Sequence, residues 1–146
     1  MEVLMRWTAY LPLFAMLAAS TATAAPWAID PARSTLSFTG TQAGDAFTGQ
    51  FTKFSPVVEF DPAKPEAGHI TVSVDMASAR IDDKDKQESL PTEDWFFVEK
   101  FPTATFTSTK ITQVGRDTNT YLAEGTLSLR GISQPVQLPF SLEMQD

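Results

Sequence analysis

Apolar and polar residues alternate along several short stretches of this chain. The clearest stretch runs from residue 70 to residue 76, where four apolar side chains are separated by Thr71, Ser73 and Asp75. Successive side chains of a strand point to opposite faces, so this pattern predicts a strand with one buried face. The same period recurs at residues 35–39, 126–129 and 136–144, and residues 103–109 are rich in threonine around Phe106. Turn-forming residues separate these runs, which predicts an all-β, antiparallel sandwich or barrel.

Two features depart from this rhythm. Residues 82–100 carry charge at both ends and aromatic residues in the middle, and Thr92 precedes Glu93 and Asp94. A threonine can cap a helix and acidic residues favour its first turn, so the segment predicts two short helical pieces, one of them beginning at Thr92. Pro139 lies inside the last alternating run. Because proline donates no ladder hydrogen bond, that strand is expected at a sheet edge or bulged there.

The first 24 residues have the order of a secretory signal. Arg6 precedes an apolar run of roughly 13 residues, shorter than the ~20 that a membrane-spanning helix needs. Small residues at Ala22 and Ala24 predict cleavage after Ala24. The expected mature protein is therefore a single domain, residues 25–146, in the periplasm or outside the cell, with no stable membrane insertion. It contains no cysteine, so its stability must come from core burial.

Charge and composition narrow the classes of function. The net charge is -7, and it is unchanged by removal of the signal because Glu2 and Arg6 cancel. Such a chain lacks the electrostatic footprint of nucleic-acid binding, and anionic membrane surfaces repel it. His69 is the only histidine, and Asp83 and Asp85 lack the spacing of a calcium loop, so we expect no metal site and no catalytic residues. The sequence therefore favours a binding protein over an enzyme.

Four stretches carry a resemblance to a known family. The most specific is residues 89–110, where an acid, two aromatics and an aromatic-Pro-x-Ala-x-Phe-x-Ser pattern follow one another, as Asp94, Trp95, Phe96, Phe101, Pro102, Ala104, Phe106 and Ser108. Residues 27–34 are similar to the family's opening strand, with Phe47–Phe51 as its second strand, and residues 125–138 are similar to its late hairpin. These stretches resemble the YceI-like, polyisoprenoid-binding family in register from Trp27 to Met144.

The resemblance implies an antiparallel, lipocalin-like β-barrel with an elongated apolar interior that holds an isoprenoid or other amphipathic lipid. We count about six strands, whereas a closed barrel of this kind has about eight. The barrel is therefore expected to be incomplete, to close with fewer strands or to close with a partner, and a homodimer is among the expected forms. No cofactor is expected other than the bound lipid.

The interior of such a barrel would be lined by aromatic and leucine side chains. The residues that we expect to contact the lipid tail are Phe38, Phe51, Phe97, Phe106, Leu127 and Leu129. Three cations are candidates for the head group, namely Arg33, Lys53 and Arg130, because a cation can pair with a pyrophosphate or a polar quinone head. Under this hypothesis the protein is a carrier or buffer for a quinone or polyprenyl compound. The alternative is a protein-interaction or stress-protection module without a dedicated ligand.

Overall fold

The computed structural model describes residues 6–10, 13–14, 26–30, 32–116 and 118–141. The described chain is mostly antiparallel β, as the alternation predicted. Its strands are β1 (Arg6–Tyr10), β2 (Leu13–Phe14), β3 (Ala28–Ile29), β4 (Thr35–Gln42), β5 (Asp45–Phe51), β6 (Phe54–Glu59), β7 (His69–Asp75), β8 (Ala79–Arg80), β9 (Thr103–Gln113), β10 (Thr120–Leu129) and β11 (Ile132–Ser141). One α-helix, α1 (Lys84–Ser89), and two 3-10 turns, at Pro65–Ala67 and Met76–Ser78, connect them.

The strands form two main sheets. The first has the order β1-β4-β5-β8 and the second has the order β11-β10-β9-β7-β6, while β2 and β3 pair separately. Within the described residues the ladders do not join the two sheets into a closed ring. The strands outnumber the six that we counted, because β6 and the two-residue strands have no long alternating signal.

The core lies between the inner faces of the two sheets. Along β7, Ile70, Val72 and Val74 are buried while the residues between them are partly or fully exposed, which confirms the predicted face. Val136, Leu138 and Phe140 likewise turn inward on β11. The two remaining apolar positions of that predicted run, Leu142 and Met144, lie outside the described residues.

Strand β11 is an edge strand, as Pro139 predicted. It forms one end of the five-stranded sheet and keeps an unbroken register with β10 from Ile132 to Ser141. The hairpin between the two strands turns through Arg130 and Gly131, which both have positive φ angles of 53° and 73°. Two consecutive positive φ values give a turn whose twist matches that of the strands.

The region between β8 and β9 differs from the prediction. The first helical piece is α1, whose N-cap is Asp83; its carboxylate accepts a hydrogen bond from the backbone N–H of Lys86. The prediction of a second helical piece beginning at Thr92 is wrong. The Thr92 hydroxyl instead donates to the carbonyl of Ser89 (2.6 Å), and successive turns continue to Phe101. We call residues 90–101 the end cap.

Two of the described strands fall in the predicted signal segment. Strand β1 pairs antiparallel with β4, from Arg6 opposite Thr39 to Tyr10 opposite Thr35. The predicted cleavage position at Ala24 lies outside the described residues.

Candidate functional site

An aromatic cluster occupies one half of the core. Phe38 on β4 lies 4.7 Å from Phe51 at the end of β5, measured between ring centroids, and 5.6 Å from Phe96 of the end cap. Phe47 extends the cluster and lies 5.4 Å from Trp95. The rings meet edge-on or tilted, which are the arrangements that the ring quadrupole favours. The first sheet and the end cap are therefore joined through their aromatic side chains.

The end cap delivers Trp95 and Phe96 to this cluster. Its backbone is held by a hydrogen bond from the Phe96 N–H to the Leu90 carbonyl (3.0 Å) and by one from the Phe97 N–H to the Thr92 carbonyl (2.8 Å). The chain then reverses at Phe97, which has a φ of 48°. This reversal turns Phe97 away from its buried neighbours Trp95 and Phe96, and its side chain is only half-buried.

A groove of about 1060 Å³ opens beside the aromatic cluster, where the ends of both sheets meet residues 27–29. The groove borders Phe51, so it reaches the edge of the apolar core, and it is also lined by Trp27, Ile29 and Phe54. The wall carries polar side chains as well, including Gln50, Lys53, Ser73 and Asp75. The lining therefore contains both apolar and polar side chains, and a groove of this volume is large enough for a small molecule.

Trp27 and its neighbours are held against β6. The backbone N–H of Trp27 donates to the carbonyl of Val58 (2.9 Å), and its indole N–H donates to the carbonyl of Phe60. The Trp27 ring also lies 6.5 Å from the Phe60 ring. These contacts fix one wall of the groove.

The six residues expected to line a lipid site lie in three different places. Phe38, Phe106 and Leu127 are packed within the core, each at most 6% exposed, and are not part of the groove wall. Phe51 belongs both to the core and to the groove. Phe97 and Leu129 are half-buried, and Phe97 packs against Phe101 at 6.0 Å. The structure therefore brings only one of the six to the groove, and the lipid contacts of the set stay a prediction.

The three candidate cations are also separated. The Arg33 guanidinium lies 3.1 Å from the carboxylate of Asp30, and that carboxylate also accepts the Ala32 N–H. The Ala32 hydrogen bond and then Arg33 lower the pKa of Asp30 below its ordinary value. Arg130 donates to the Trp95 carbonyl (2.9 Å) and lies over the Phe97 ring, so it braces the end cap.

Lys53 is the candidate cation that lines the groove. Its side chain is exposed, and no salt bridge to it occurs within the described part of the chain. Its backbone is fixed on both sides, because its N–H donates to the Ser78 hydroxyl (3.0 Å) and its carbonyl accepts the Asp75 N–H (3.1 Å). These hydrogen bonds fix the Lys53 backbone in the connection between β5 and β6, beside the groove that its side chain lines.

Other kinds of site were sought among the described residues. They contain no cluster of three or more His, Cys, Asp or Glu side chains suited to a metal ion. His69 is exposed, and its Nε2 atom lies 3.3 Å from the Thr71 hydroxyl. None of the described helices has the length and apolar character needed to cross a bilayer.

Sequence reasoning missed most of the groove wall. Trp27, Ile29 and Phe54 are not on any long alternating run, and Asp75 is one of several polar residues on the outer face of β7. The one available signal was the closeness of Phe51, Lys53 and Phe54 in sequence, where aromatic residues flank a cation between two strands.

Comparison with known proteins identifies relatives of this chain. The model of the YceI-like domain family matches residues 27–146. A UPF0312 protein of Azotobacter vinelandii is 38% identical over 88 residues, which are 60% of this chain and 45% of that protein. A UPF0312 protein of Shewanella baltica is 29% identical over 126 residues, covering 84% of this chain and 65% of that protein. The chain thus spans about half to two thirds of the length of these curated relatives.

Solved structures show the same fold. The crystal structure of BcnA from Burkholderia cenocepacia superposes with a TM-score of 0.67 and 35% identity, covering 75% of this chain and 68% of that chain. A YceI protein from Campylobacter jejuni gives a TM-score of 0.57 and 28% identity, covering 68% and 56% of the two chains.

Proposed function

This chain belongs to the YceI-like family, and we propose that it is an exported protein that holds an amphipathic isoprenoid lipid as a carrier or buffer. The proposed ligand is a quinone or a polyprenyl compound. Export to the periplasm or beyond is proposed from the signal-like order of the first 24 residues, with cleavage after Ala24. The family resemblance favours binding over catalysis.

The observation that carries this proposal is the groove. Its volume of about 1060 Å³ is sufficient for a lipid chain, and Phe51 makes it continuous with the aromatic core. Trp27, Ile29 and Phe54 supply apolar walls for a tail. A head group at the rim would meet Lys53, Asp75 and neighbouring hydroxyl groups instead.

The apolar wall alone can provide useful affinity. Each methylene group removed from water contributes about 0.8 kcal/mol, so a tail of about fifteen carbons contributes about 12 kcal/mol. Association costs at least about 4 kcal/mol, which leaves at most about 8 kcal/mol, equivalent to a dissociation constant of about 1 μM at best. A shape-selective lipid binder therefore does not need a strong polar contact.

Extraction of the purified protein tests the ligand. The full gene is expressed in a bacterial host, the processed protein is collected from the periplasm, and its intact mass gives the cleavage position. Solvent extraction and mass spectrometry should then find an isoprenoid lipid near one mole per mole. The proposal fails if repeated preparations contain no such lipid and take up neither added quinone nor added polyprenol. That outcome would favour the interaction or stress-protection module.

Paired variants test the groove. Ile29→Asp places a charge on its apolar wall and should weaken binding of an added quinone by about tenfold or more, because a carboxylate next to a lipid tail loses its hydration. Ile132→Asp is the matched control, because Ile132 is 61% exposed and is not part of the groove wall. Circular dichroism confirms that both variants are folded. Equal binding by the two variants would mean that the lipid lies elsewhere.

A second pair of variants tests the head-group role of Lys53. Lys53→Ala should weaken the binding of a lipid with an anionic head group more than the binding of a lipid with a neutral head group, because only the anionic head group forms an ion pair with the ammonium group. Lys84→Ala removes an exposed lysine of α1 that is not part of the groove wall, and it should change neither affinity. An equal loss for both heads would remove Lys53 from the head-group site.

A further inference from the structure

Two side chains of opposite charge line the groove where β6 begins and β7 ends. Among the described residues of the groove wall, Lys53 and Asp75 are the two that carry a charge, and both are exposed. They lie one position beyond the opposed pair Phe54 and Val74. The Asp75 N–H donates to the Lys53 carbonyl (3.1 Å). Opposed residues of an antiparallel pair point to one face with their Cβ atoms about 4.5–5.5 Å apart, so both charged groups can reach the same ligand head group.

Hydroxyl groups surround these two charges. Ser55 and Ser73 are directly opposite each other, two residues along the same strands, and both line the groove. Because strand side chains alternate, they share the face of Lys53 and Asp75. Thr103, directly opposite Asp75 on β9, also lines the groove. This part of the wall therefore combines one cation, one anion and several hydroxyl groups, and it has no net charge.

The buried Ser78 fixes the backbone of both charged residues. Its side chain is part of a residue only 3% exposed, and its hydroxyl accepts the Lys53 N–H (3.0 Å) and lies 2.7 Å from the Asp75 carbonyl oxygen. One carboxylate oxygen of Asp75 accepts the Ala77 N–H (3.0 Å). Within the described part of the chain, neither Lys53 nor Asp75 takes part in a salt bridge. The fold thus holds the two charges close together and leaves both available to a ligand.

An anionic head group is poorly matched to this arrangement. A phosphate monoester carries about −1.5 to −2 charges at pH 7, whereas Lys53 supplies a single positive charge and the Asp75 carboxylate repels the phosphate. Arg33 adds no compensation, because its guanidinium is paired with Asp30 (3.1 Å) and it is not part of the groove wall. A hydroxyl head group is well matched, because its oxygen accepts from an ammonium group while its proton is donated to a carboxylate.

We propose that Lys53 and Asp75 together select an amphipath with an uncharged hydroxyl head group, and that Asp75 is the residue that excludes phosphorylated head groups. The inference rests on the proposed lipid-binding function and narrows its ligand class to hydroxyl-bearing isoprenoids, namely polyprenols and the reduced forms of quinones. Lys53 by itself would favour an anionic head group. The selectivity therefore comes from the carboxylate that the fold places beside it.

A conservative variant and a matched control test this role. Asp75→Asn removes the charge but keeps an oxygen that can accept the Ala77 N–H, so the turn that follows β7 stays capped. Asp45→Asn makes the same change in net charge at an exposed residue of β5 that is not part of the groove wall. The probes are farnesol and farnesyl phosphate, which share one isoprenoid tail. Calorimetric titration of the purified, delipidated protein gives both dissociation constants, and their ratio reports head-group selectivity.

The wild type and Asp45→Asn should bind the alcohol more tightly than the phosphate. Asp75→Asn should improve phosphate binding relative to alcohol binding by about threefold or more, whereas Lys53→Ala should shift the ratio in the opposite direction. In a Lys53→Ala background, Asp75→Asn should still improve phosphate binding, because the carboxylate acts on the phosphate directly. A wild type that prefers the phosphate, or a ratio that Asp75→Asn leaves unchanged in either background, overturns the proposal.

The same titrations separate this inference from the lipid proposal. If neither probe binds to any of the proteins, the lipid-binding function fails and the head-group selection fails with it. If both probes bind and Asp75→Asn shifts their ratio no more than Asp45→Asn does, the lipid-binding function stands and the role of Asp75 is refuted. Circular dichroism of each variant confirms that the comparison is made between folded proteins.

Discussion

Two glycines of the first sheet lie beneath aromatic rings, and their replacement by alanine should have different effects once the opposing ring is shortened. Gly40 on β4 is directly opposite Phe47 on β5, and Phe38 on β4 is directly opposite Gly49 on β5. A methyl group at Gly40 would meet the Phe47 ring first, with Cε1 at 2.9 Å. A methyl group at Gly49 would meet the Phe38 ring at 2.7 Å (Cε1) and also the backbone carbonyl oxygen of Arg80 at 2.8 Å.

The magnitudes follow from these neighbours. Replacing a strand glycine with alanine gains about 0.4–1 kcal/mol by restricting the unfolded chain, whereas overpacking costs about 1–3 kcal/mol. Both Gly40→Ala and Gly49→Ala should therefore destabilise the wild type by about 1–2 kcal/mol. Once the opposing ring is shortened, the outcomes should diverge. Gly40→Ala in a Phe47→Leu background should be neutral or slightly stabilising, because the ring atoms that lie nearest to the new methyl group are absent from leucine.

Gly49→Ala should stay destabilising in a Phe38→Leu background, because the Arg80 carbonyl cannot move without disturbing the pairing of β5 with β8. Urea unfolding followed by tryptophan fluorescence gives the free energy of unfolding for each member of the two double-mutant cycles. The expected coupling between Gly40 and Phe47 is about 1–2 kcal/mol. If Gly40→Ala costs the same with and without the Phe47 ring, the steric explanation is refuted.

Three further predictions concern the core, a buried hydrogen bond and a helix cap. Phe38→Ala should lower the free energy of unfolding by about 3–5 kcal/mol in urea denaturation, because Phe38 is 1% exposed and its loss leaves a cavity; a loss below about 1 kcal/mol would contradict this packing. Ser108→Ala should cost about 1–3 kcal/mol and speed amide exchange at Ile70, because the buried Ser108 hydroxyl accepts the Ile70 N–H at 2.8 Å, and unchanged exchange would contradict it. The side-chain hydrogen bond from Lys86, followed by the Lys86 backbone N–H, lowers the pKa of Asp83, so its contribution to stability is present above the ordinary carboxyl range and is lost as pH falls through the lowered pKa. Asp83→Asn should therefore have a lower melting temperature than wild type at neutral pH, and the gap should close in strong acid; a constant gap would show that the charge is irrelevant.

The buried faces of the strands could be predicted from sequence because they depend on neighbours two residues apart. The alternation at Ile70, Val72 and Val74 encodes burial without knowledge of the rest of the chain. The groove could not be predicted in this way. Its wall combines Trp27, Phe51 and Thr103, which come together only when the ends of separate strands are placed in space.

The error at Thr92 has a physical cause as well. Threonine followed by acidic residues satisfies the rules for a helix start, but burial of the aromatic side chains favours turns over a helix here. The chain must place Trp95 and Phe96 in the core within a few residues of buried Leu90, and tight turns do so where a continued helix would rotate the side chains apart. The pairing of Gly40 with Phe47 could not be predicted from the sequence either, because the register of two strands depends on tertiary structure.

The end cap places Trp95 where its fluorescence would respond to a ligand in the protein interior. Its indole lies against Phe47, and its neighbour Phe96 touches both Phe38 and Phe51, so a guest that spreads these rings must shift the indole too. If residues 1–24 are removed as we propose, Trp27 is the only other tryptophan of the sequence given. A Trp27→Phe protein would then carry Trp95 as its single tryptophan, and selectively excited tryptophan emission would report occupancy of the interior continuously and without a label.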